Sequence, residues 1–369
     1  MAQPAYGVGL IGLRSGHGWG PVHLAAIAAQ PEALRLVGIA NSSRESGRRA
    51  AAEFGVAHAF DDAAALIAAP EVDVVTVCVK VPQHFALVEA ALAAGKHVYC
   101  EWPLAVGLDQ ARHLAAKARA AGVHTVIGTQ GLLSPAVQRV RELIAEGYVG
   151  RVLSTSVISS TIGWGGTSDE AGAYILDPAN GATLMTLPFG HAAMTLETVL
   201  GPIESVTAQA TIVRDRVQMV DSGGKRETRS PDQLIVAGTF ASGATLAVHH
   251  RGGTQRSTGF RWEINGADGD LLVTTPHSYH NTVKLALAGG RGEDSGVAPL
   301  PVPPSRFDEA PFEAAINVAL LYEALATDLR DDTHRAPSFD DALRIHQLVA
   351  AVETSAREGR RVTVPDRAG

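Results

Sequence analysis

Lys80 follows the apolar run "VDVVTVCV", and Glu101-Trp102-Pro103 closes the run "HVYCE". Ligands of open α/β sheets sit at the carboxyl ends of the strands, so side chains placed there meet whatever chemistry the fold performs. A lysine desolvated at such a place makes a base able to take a hydroxyl proton. The alternative is a lysine whose stem lies over apolar surface while its head reaches water. Glu101 reads as a carboxylate that orients a ligand or pairs with Lys80, or equally as a structural turn residue. Pro103 sets the backbone that follows, with the cis or trans state of its bond open.

Trp102, Trp164 and Tyr174 offer flat faces and a phenol of the kind that receives a sugar ring, although each also suits a core. Tyr174, Asp177 and Asn180 fall together in "YILDPANG", where Asp177 is equally a candidate helix cap. Arg251 in "HHRGG", followed by Arg256 and Arg261, supplies guanidinium groups for an anionic substituent; solvated strand-edge charge is the commoner explanation. His277 and His280 in "HSYH" have no third ligand and no helical scaffold, so they read as surface loop histidines, and no metal is expected.

Such groups need elements to hold them. A chain of 369 residues exceeds the ~250 to 300 at which single cores stop growing, so two domains are expected. Residues 1–125 alternate β-branched runs ("YGVGLIGL", "LRLVGIAN", "HAF", "VDVVTVCV", "HVYCE", "HTVIGT") with alanine-rich helical stretches. That pattern predicts a doubly wound parallel α/β domain. Residues 126–369 shift to strands separated by Gly, Asp and Asn turns, which predicts an α+β domain with a large, mainly antiparallel open sheet and C-terminal helices packing back. "AGGRGEDSGVAPLPVPPSR" reads as a long surface loop.

The net charge of −7 gives nucleic acid no electrostatic footprint. No stretch approaches ~18 uninterrupted apolar residues, and "MAQPAYGVGLIG" lacks a basic segment followed by an apolar one, so neither a membrane span nor export is expected. Cys78 and Cys100 lie in strand-like segments and read as reduced, buried thiols, which suits the cytoplasm.

"GVGLIG" spells G-x-G-x-x-G, yet Gly7 and Gly9 fall inside the first strand and cannot form the turn after it. The phosphate-binding turn is expected instead in "GLRSGHGWG", where Gly12, Leu13, Ser15, Gly16, Gly18 and Trp19 precede the helix "VHLAAIAAQ". At the end of the second strand, Asn41 and Ser42 stand where an acidic residue would hold a ribose, and Arg44 would tolerate a 2′-phosphate. A dinucleotide is expected, with NAD or NADP open.

The succession "VGLIGL", "EVDVVTVCVKVPQH", "GKHVYCEWPLA", "GYVGRVLS", "NGATLMTLPFGH" and "PSFDDALRIHQLVAAVETSAREGRRV" resembles the Gfo/Idh/MocA family of sugar and inositol oxidoreductases over nearly the whole chain. The resemblance implies a Rossmann domain (the dinucleotide-binding α/β fold) and an open sheet whose face carries the substrate. It implies cofactor contacts at Val79, Pro82, His84, Glu101, Trp102 and Gln130, and a catalytic-region histidine at His191. The family's usual Glu-Lys-Pro is here Glu101-Trp102-Pro103, and its aspartate four residues before the histidine is Leu187. These departures, with "GHGWG" and "YILDPANG", are similar to the branch that holds the yeast galactose-pathway repressor and bacterial NAD-dependent glycosidases acting on sulfoquinovosides.

That resemblance implies an enzyme holding NAD and oxidising a ring hydroxyl of a pyranoside, with Lys80, His191 and Tyr174 as proton carriers. In the glycosidase form, oxidation is followed by elimination, hydration and return of the hydride. A pyranose dehydrogenase and a non-enzymatic dinucleotide-binding regulator are the alternatives. A small-molecule sugar or glycoside is the expected partner, without nucleic acid or membrane, and a homodimer or homotetramer packed through the open sheet is implied.

Overall fold

A computed structural model describes residues 4–14, 16, 18–253, 259–277 and 279–366. The chain divides into two compact units, Met1–Gln130 with Arg306–Leu343, and Gly131–Ser305 with Arg344–Gly369.

In the first unit, β1 (Tyr6–Ile11), β2 (Leu34–Ala40), β3 (Val74–Val77), β4 (His97–Glu101) and β5 (Thr125–Gly128) form a parallel sheet in the order β2-β1-β3-β4-β5. The crossovers are α1 (Gly20–Ala28), α2 (Arg44–Phe54), α3 (Ala63–Ala68), α4 (His84–Ala93) and α5 (Leu108–Ala121). Local chemistry sets their ends. Ser43 and Ser46 close a capping box on α2, Asp62 caps α3, and Gly55 and Gly122 end α2 and α5 in the left-handed conformation. The strand order reverses between β1 and β3, the switch point at which such sheets bind ligands.

"HAF" does not form a strand. It contributes an isolated bridge between Ile39 and Ala59, because β2 is already the sheet edge there and Gly38 lets the His58 carbonyl approach closely. The expected division at residue 125 is linear, whereas the compact unit is discontinuous. The helix α8 (Glu313–Asp331) belongs to the first unit, where Gln30 Nε2 of the α1 turn donates to the Ala319 carbonyl at 3.0 Å and Tyr322 stacks on Tyr99.

The second unit holds α6 (Pro135–Ala145), α7 (Gly190–Leu200) and strands β6 (Val152–Thr161), β7 (Thr167–Ser168), β8 (Ile203–Thr211), β9 (Arg216–Met219), β10 (Lys225–Glu227), β11 (Gln233–Phe240), β12 (Thr245–Gly252), β13 (Phe260–Gly266), β14 (Gly269–Thr275), β15 (Ala286–Arg291), β16 (Ala298–Pro299) and β17 (Val362–Thr363). The large sheet runs β16-β15-β14-β13-β6-β12-β11-β8-β17, antiparallel except where β12 pairs with β6. It alternates buried and open residues. Leu234, Val236, Leu246, Val248, Trp262 and Ile264 face the core, while Ile235, His249, Ile158 and Arg261 lie in register on the other side.

Two sequence readings change. The segment read as a long loop supplies β15 and β16, its small residues pairing with β14. A further three-stranded sheet, β10-β9-β7, was not expected; its strands are too short to show a period. Cys78 and Cys100 are free and buried, and no helix among the described residues is long and apolar enough to cross a membrane.

Candidate functional site

Gly7 and Gly9 lie inside β1, and a side chain at Gly9 would run into Leu66. The chain turns after β1 at Gly12. Gly12 has φ +108°, and a Cβ there would stand 2.5 Å from the Cys78 carbonyl, so β1 and β3 leave no room for one. Gly16 and Gly18 also have positive φ and open space where a side chain would be. Ser15 lies outside the described residues.

The Leu13 side chain is core and Trp19 packs against that same cluster, so the loop offers backbone to a ligand and side chains to the interior. The N-terminus of α1 carries no side-chain cap, which leaves its amides for an anion. A glycine turn in open space beside an uncapped helix start fits a dinucleotide pyrophosphate.

Asn41 does not present its amide outward as a ribose ligand. Its Oδ1 accepts from the Leu13 amide at 2.9 Å, and its Nδ2 donates to the carbonyls of Leu13 and Ser46 at 2.8 and 3.2 Å. Ser42 is exposed beyond it. Arg44 pairs with Asp61 at 2.6 Å.

After β3, Lys80 is exposed where burial was expected. Pro82 is exposed in the short turn that follows, and Val79 is half-buried. His84 is buried and serves the backbone. Its Nδ1 lies 2.8 Å from the Pro103 carbonyl and its Nε2 3.0 Å from the Val79 carbonyl, so it ties the segment after β3 to the segment after β4. Burial lowers its pKa, and the two carbonyl bonds pull it back up. Trp102 is buried at 4 % exposure and offers no open face, and the bond between Trp102 and Pro103 is cis.

Glu101 is buried rather than a turn carboxylate. Gln130 Nε2 donates to its two oxygens at 2.9 and 2.7 Å, and His23 Nε2 lies 3.2 Å from Oε1. The carboxylate occupies the space a side chain at Gly128 would take, since a Cβ there would stand 2.5 Å from Oε1.

In the second unit, His191 opens α7 and is buried, and its Nδ1 has no hydrogen-bond partner among the described residues. Burial, and then neighbouring His280, push its pKa down to about 3, so the ring is neutral at physiological pH. It suits a hydrogen bond to a hydroxyl better than storage of a proton. His280 is not a surface histidine. It is 3 % exposed, stacks on Phe260, lies with Nε2 3.0 Å from Thr195 Oγ1, and is held to about 4 by burial. His277 is exposed.

Tyr174 is half-buried with its pKa raised by burial, which keeps the phenol protonated as a donor. It neighbours Tyr279, whose hydroxyl accepts from Thr161 Oγ1 at 2.7 Å. Residues 279 and 280 thus place one ring beside Tyr174 and the other beside His191. The interleaved aromatics of "HSYH" are the signal that sequence reading passed over.

Trp164 is buried in the left-handed region at φ +56°, with Nε1 unpartnered among the described residues. Such an outlier in a non-glycine residue is backbone strain of the kind found at ligand sites. Asp177 and Asn180 are spent locally. Asp177 caps its turn through the Ala179 amide at 3.0 Å and pairs with Arg229 at 2.6 Å, while Asn180 Nδ2 donates to the Tyr174 carbonyl at 2.7 Å. Arg251 is half-buried, Arg261 is engaged with Glu263, and Arg256 lies outside the described residues. Among the described residues, no group of three or more His, Cys, Asp or Glu is placed to hold a metal ion.

Residues 6–129 match the oxidoreductase family with an NAD-binding Rossmann fold, GFO_IDH_MocA, and residues 135–275 match the Gal80p C-terminal domain. Over 367 residues the chain is 26 % identical to dehydrogenase aclE of Aspergillus oryzae, covering 96 % of both chains. It is 30 % identical over 296 residues to 1,5-anhydro-D-fructose reductase of Ensifer adhaerens, covering 76 % of this chain and 80 % of that one. The solved structure of a super-repressor mutant of Gal80p from Saccharomyces cerevisiae superposes with a TM-score of 0.87 at 21 % identity, over 98 % of this chain and 99 % of that one. A glycine turn at the switch point, an uncapped helix start and matches along both units lead to one conclusion: the chain belongs to the Gfo/Idh/MocA family of NAD-binding Rossmann-fold oxidoreductases.

Proposed function

We propose that the protein is an enzyme that oxidises a ring hydroxyl of a pyranose or pyranoside with NAD. The observations that carry this reading are, in the first unit, a phosphate-ready glycine turn and, in the second, buried His191 Nδ1 and Trp164 Nε1 with no hydrogen-bond partner among the described residues. A hydroxyl-rich ligand supplies the hydrogen bonds such atoms lack. The backbone of Gly12, Gly16 and Gly18 and the α1 amides hold the pyrophosphate. NAD is favoured over NADP, because Arg44 is already paired with Asp61. The nicotinamide supplies the hydride acceptor. Lys80 is exposed in the first unit; in the second, neutral His191 accepts a hydrogen bond from the reacting hydroxyl, whose proton passes on to water as the hydride leaves its carbon, and Tyr174 donates from its protonated phenol.

A net dehydrogenase is better supported than a redox-neutral glycosidase of sulfoquinovosides. Arg261, one of the guanidinium groups read for an anionic substituent, is committed to Glu263, and beside the candidate Asp177 the Arg229 guanidinium is paired with Asp177 itself. The test is a panel of free sugars and aryl glycosides, sulfoquinovosides included, with NAD present or omitted. NADH accumulation with a free sugar is the expected result. Aglycone release that requires NAD without net NADH selects the glycosidase, and silence on the whole panel overturns the enzymatic reading.

The second reading, a non-enzymatic regulator that binds a protein partner, is favoured by the match of residues 135–275 to the Gal80p C-terminal domain. We further infer that the chain pairs with a second copy through the open sheet face, whose central rung carries Ile235 and Ile158 at 49 % and 38 % exposure on either side of His249.

A further inference from the structure

Behind Glu101 runs a row of buried polar side chains that the site described above does not use. His23 of α1 lies with Nε2 toward Glu101 Oε1 and with Nδ1 3.0 Å from the Tyr322 hydroxyl of α8. That hydroxyl is 2.7 Å from Thr76 Oγ1 of β3. His23, Thr76 and Tyr322 are fully buried. Apolar side chains would fill such a helix–sheet contact at lower cost than a buried carboxylate and its polar retinue, so the row requires a reason beyond packing.

Its chemistry has a direction. A carboxylate only accepts, so Gln130 and His23 Nε2–H donate to it. A neutral imidazole that donates at Nε2 accepts at Nδ1, which takes the Tyr322 proton and leaves the phenol oxygen to accept from Thr76. Every dipole in the row then aims its positive end at Glu101. We propose that Thr76, Tyr322 and His23 are positioning residues that hold the Glu101 carboxylate in place, and that its charge makes the first unit favour the oxidised, positively charged nicotinamide over the reduced, neutral one.

The inference rests on the dinucleotide reading. In such folds the adenosine half lies on the β2 side of the switch point, so the nicotinamide half falls toward β3, β4 and β5, where Glu101 ends its strand. A fixed anion there discriminates between cofactor forms that differ by one charge.

The test compares dissociation constants of oxidised and reduced NAD, from tryptophan fluorescence, in the wild type, Glu101→Gln and Tyr322→Phe, with 15N NMR of the wild-type histidines. The His23 resonances are expected to show the Nε2–H tautomer. The preference for the oxidised form is expected to fall about tenfold in Glu101→Gln and about threefold in Tyr322→Phe. An imidazolium or Nδ1–H tautomer at His23, or equal losses for both cofactor forms, overturns the inference alone. A wild type that binds neither form overturns the dinucleotide reading and the inference with it. Should Tyr322→Phe fail to fold, the tautomer and the Glu101→Gln ratio decide.

Discussion

Asn41 grips both backbone polar groups of Leu13, accepting from its amide at 2.9 Å and donating to its carbonyl at 2.8 Å. One side chain at the end of β2 thereby sets the shape of the glycine loop after β1. Asn41→Asp, which restores the acid of an NAD-preferring site, is expected to harm binding, because its carboxylate would face the Leu13 and Ser46 carbonyls with no proton to give. A loss of about 1 to 3 kcal/mol in stability and about tenfold in NAD affinity is expected by urea unfolding and fluorescence titration. Unchanged affinity would refute the anchoring role.

Acid should unfold the protein through its histidines. Burial holds His191 and His250 at about 3 and His280 and His346 at about 4 when folded. Unfolded, each takes up a proton near pH 6.5, so between the two values the unfolded chain binds more protons. Stability is therefore full above about pH 6.5 and falls as pH drops toward the folded values, by up to about 1.4 kcal/mol per pH unit for each such group. Urea midpoints measured from pH 7 down to 5 should decline throughout; a flat profile contradicts the assignment.

His250 isolates one contribution. Neither ring nitrogen has a hydrogen-bond partner among the described residues, and the ring meets Phe189 edge-on. Replacing an unsatisfied buried group with an apolar one of similar size is neutral or stabilising. His250→Leu should leave the melting temperature unchanged or raised at pH 7 and raise it further at pH 5. Destabilisation at pH 7 would mean the nitrogens are satisfied.

Gly128 makes room for the Glu101 carboxylate. Gly128→Ala should push Glu101 from Gln130 and His23, costing about 1 to 3 kcal/mol, and should weaken cofactor binding without altering β5 pairing. Thermal melts with NAD titration check this, and wild-type affinity in the variant would place the carboxylate outside the cofactor site.

Ile235 lies at the centre of the open sheet face, opposite His249 and Gln209. Ile235→Asp puts a charge into any surface buried by a second copy and should convert an oligomer to monomer in light scattering, with secondary structure intact. A wild type that is itself monomeric would sink the pairing.

The alternation of β-branched runs with alanine-rich helices exposed the Rossmann architecture, and Gly7 and Gly9 could be placed inside β1 by position alone. The motif "CEWPLA" located a strand end, and burial then removed Trp102 from any ligand-facing role. His280 stood in an apparent surface loop yet is core. His23 in "PVHLAAIA" and Tyr322 in "ALLYEALA" were legible only as polar residues in apolar helices; their partners lie 78 and 246 residues away in sequence.

Local patterns in the chain determined where strands, helices and the phosphate turn arise, because capping residues, glycines and apolar period act over a few residues. Tertiary structure alone decided what Asn41, Glu101, His84 and His280 do. Each is a polar group whose role depends on which distant donor or acceptor burial brings within about 3 Å, and no local spacing encodes that.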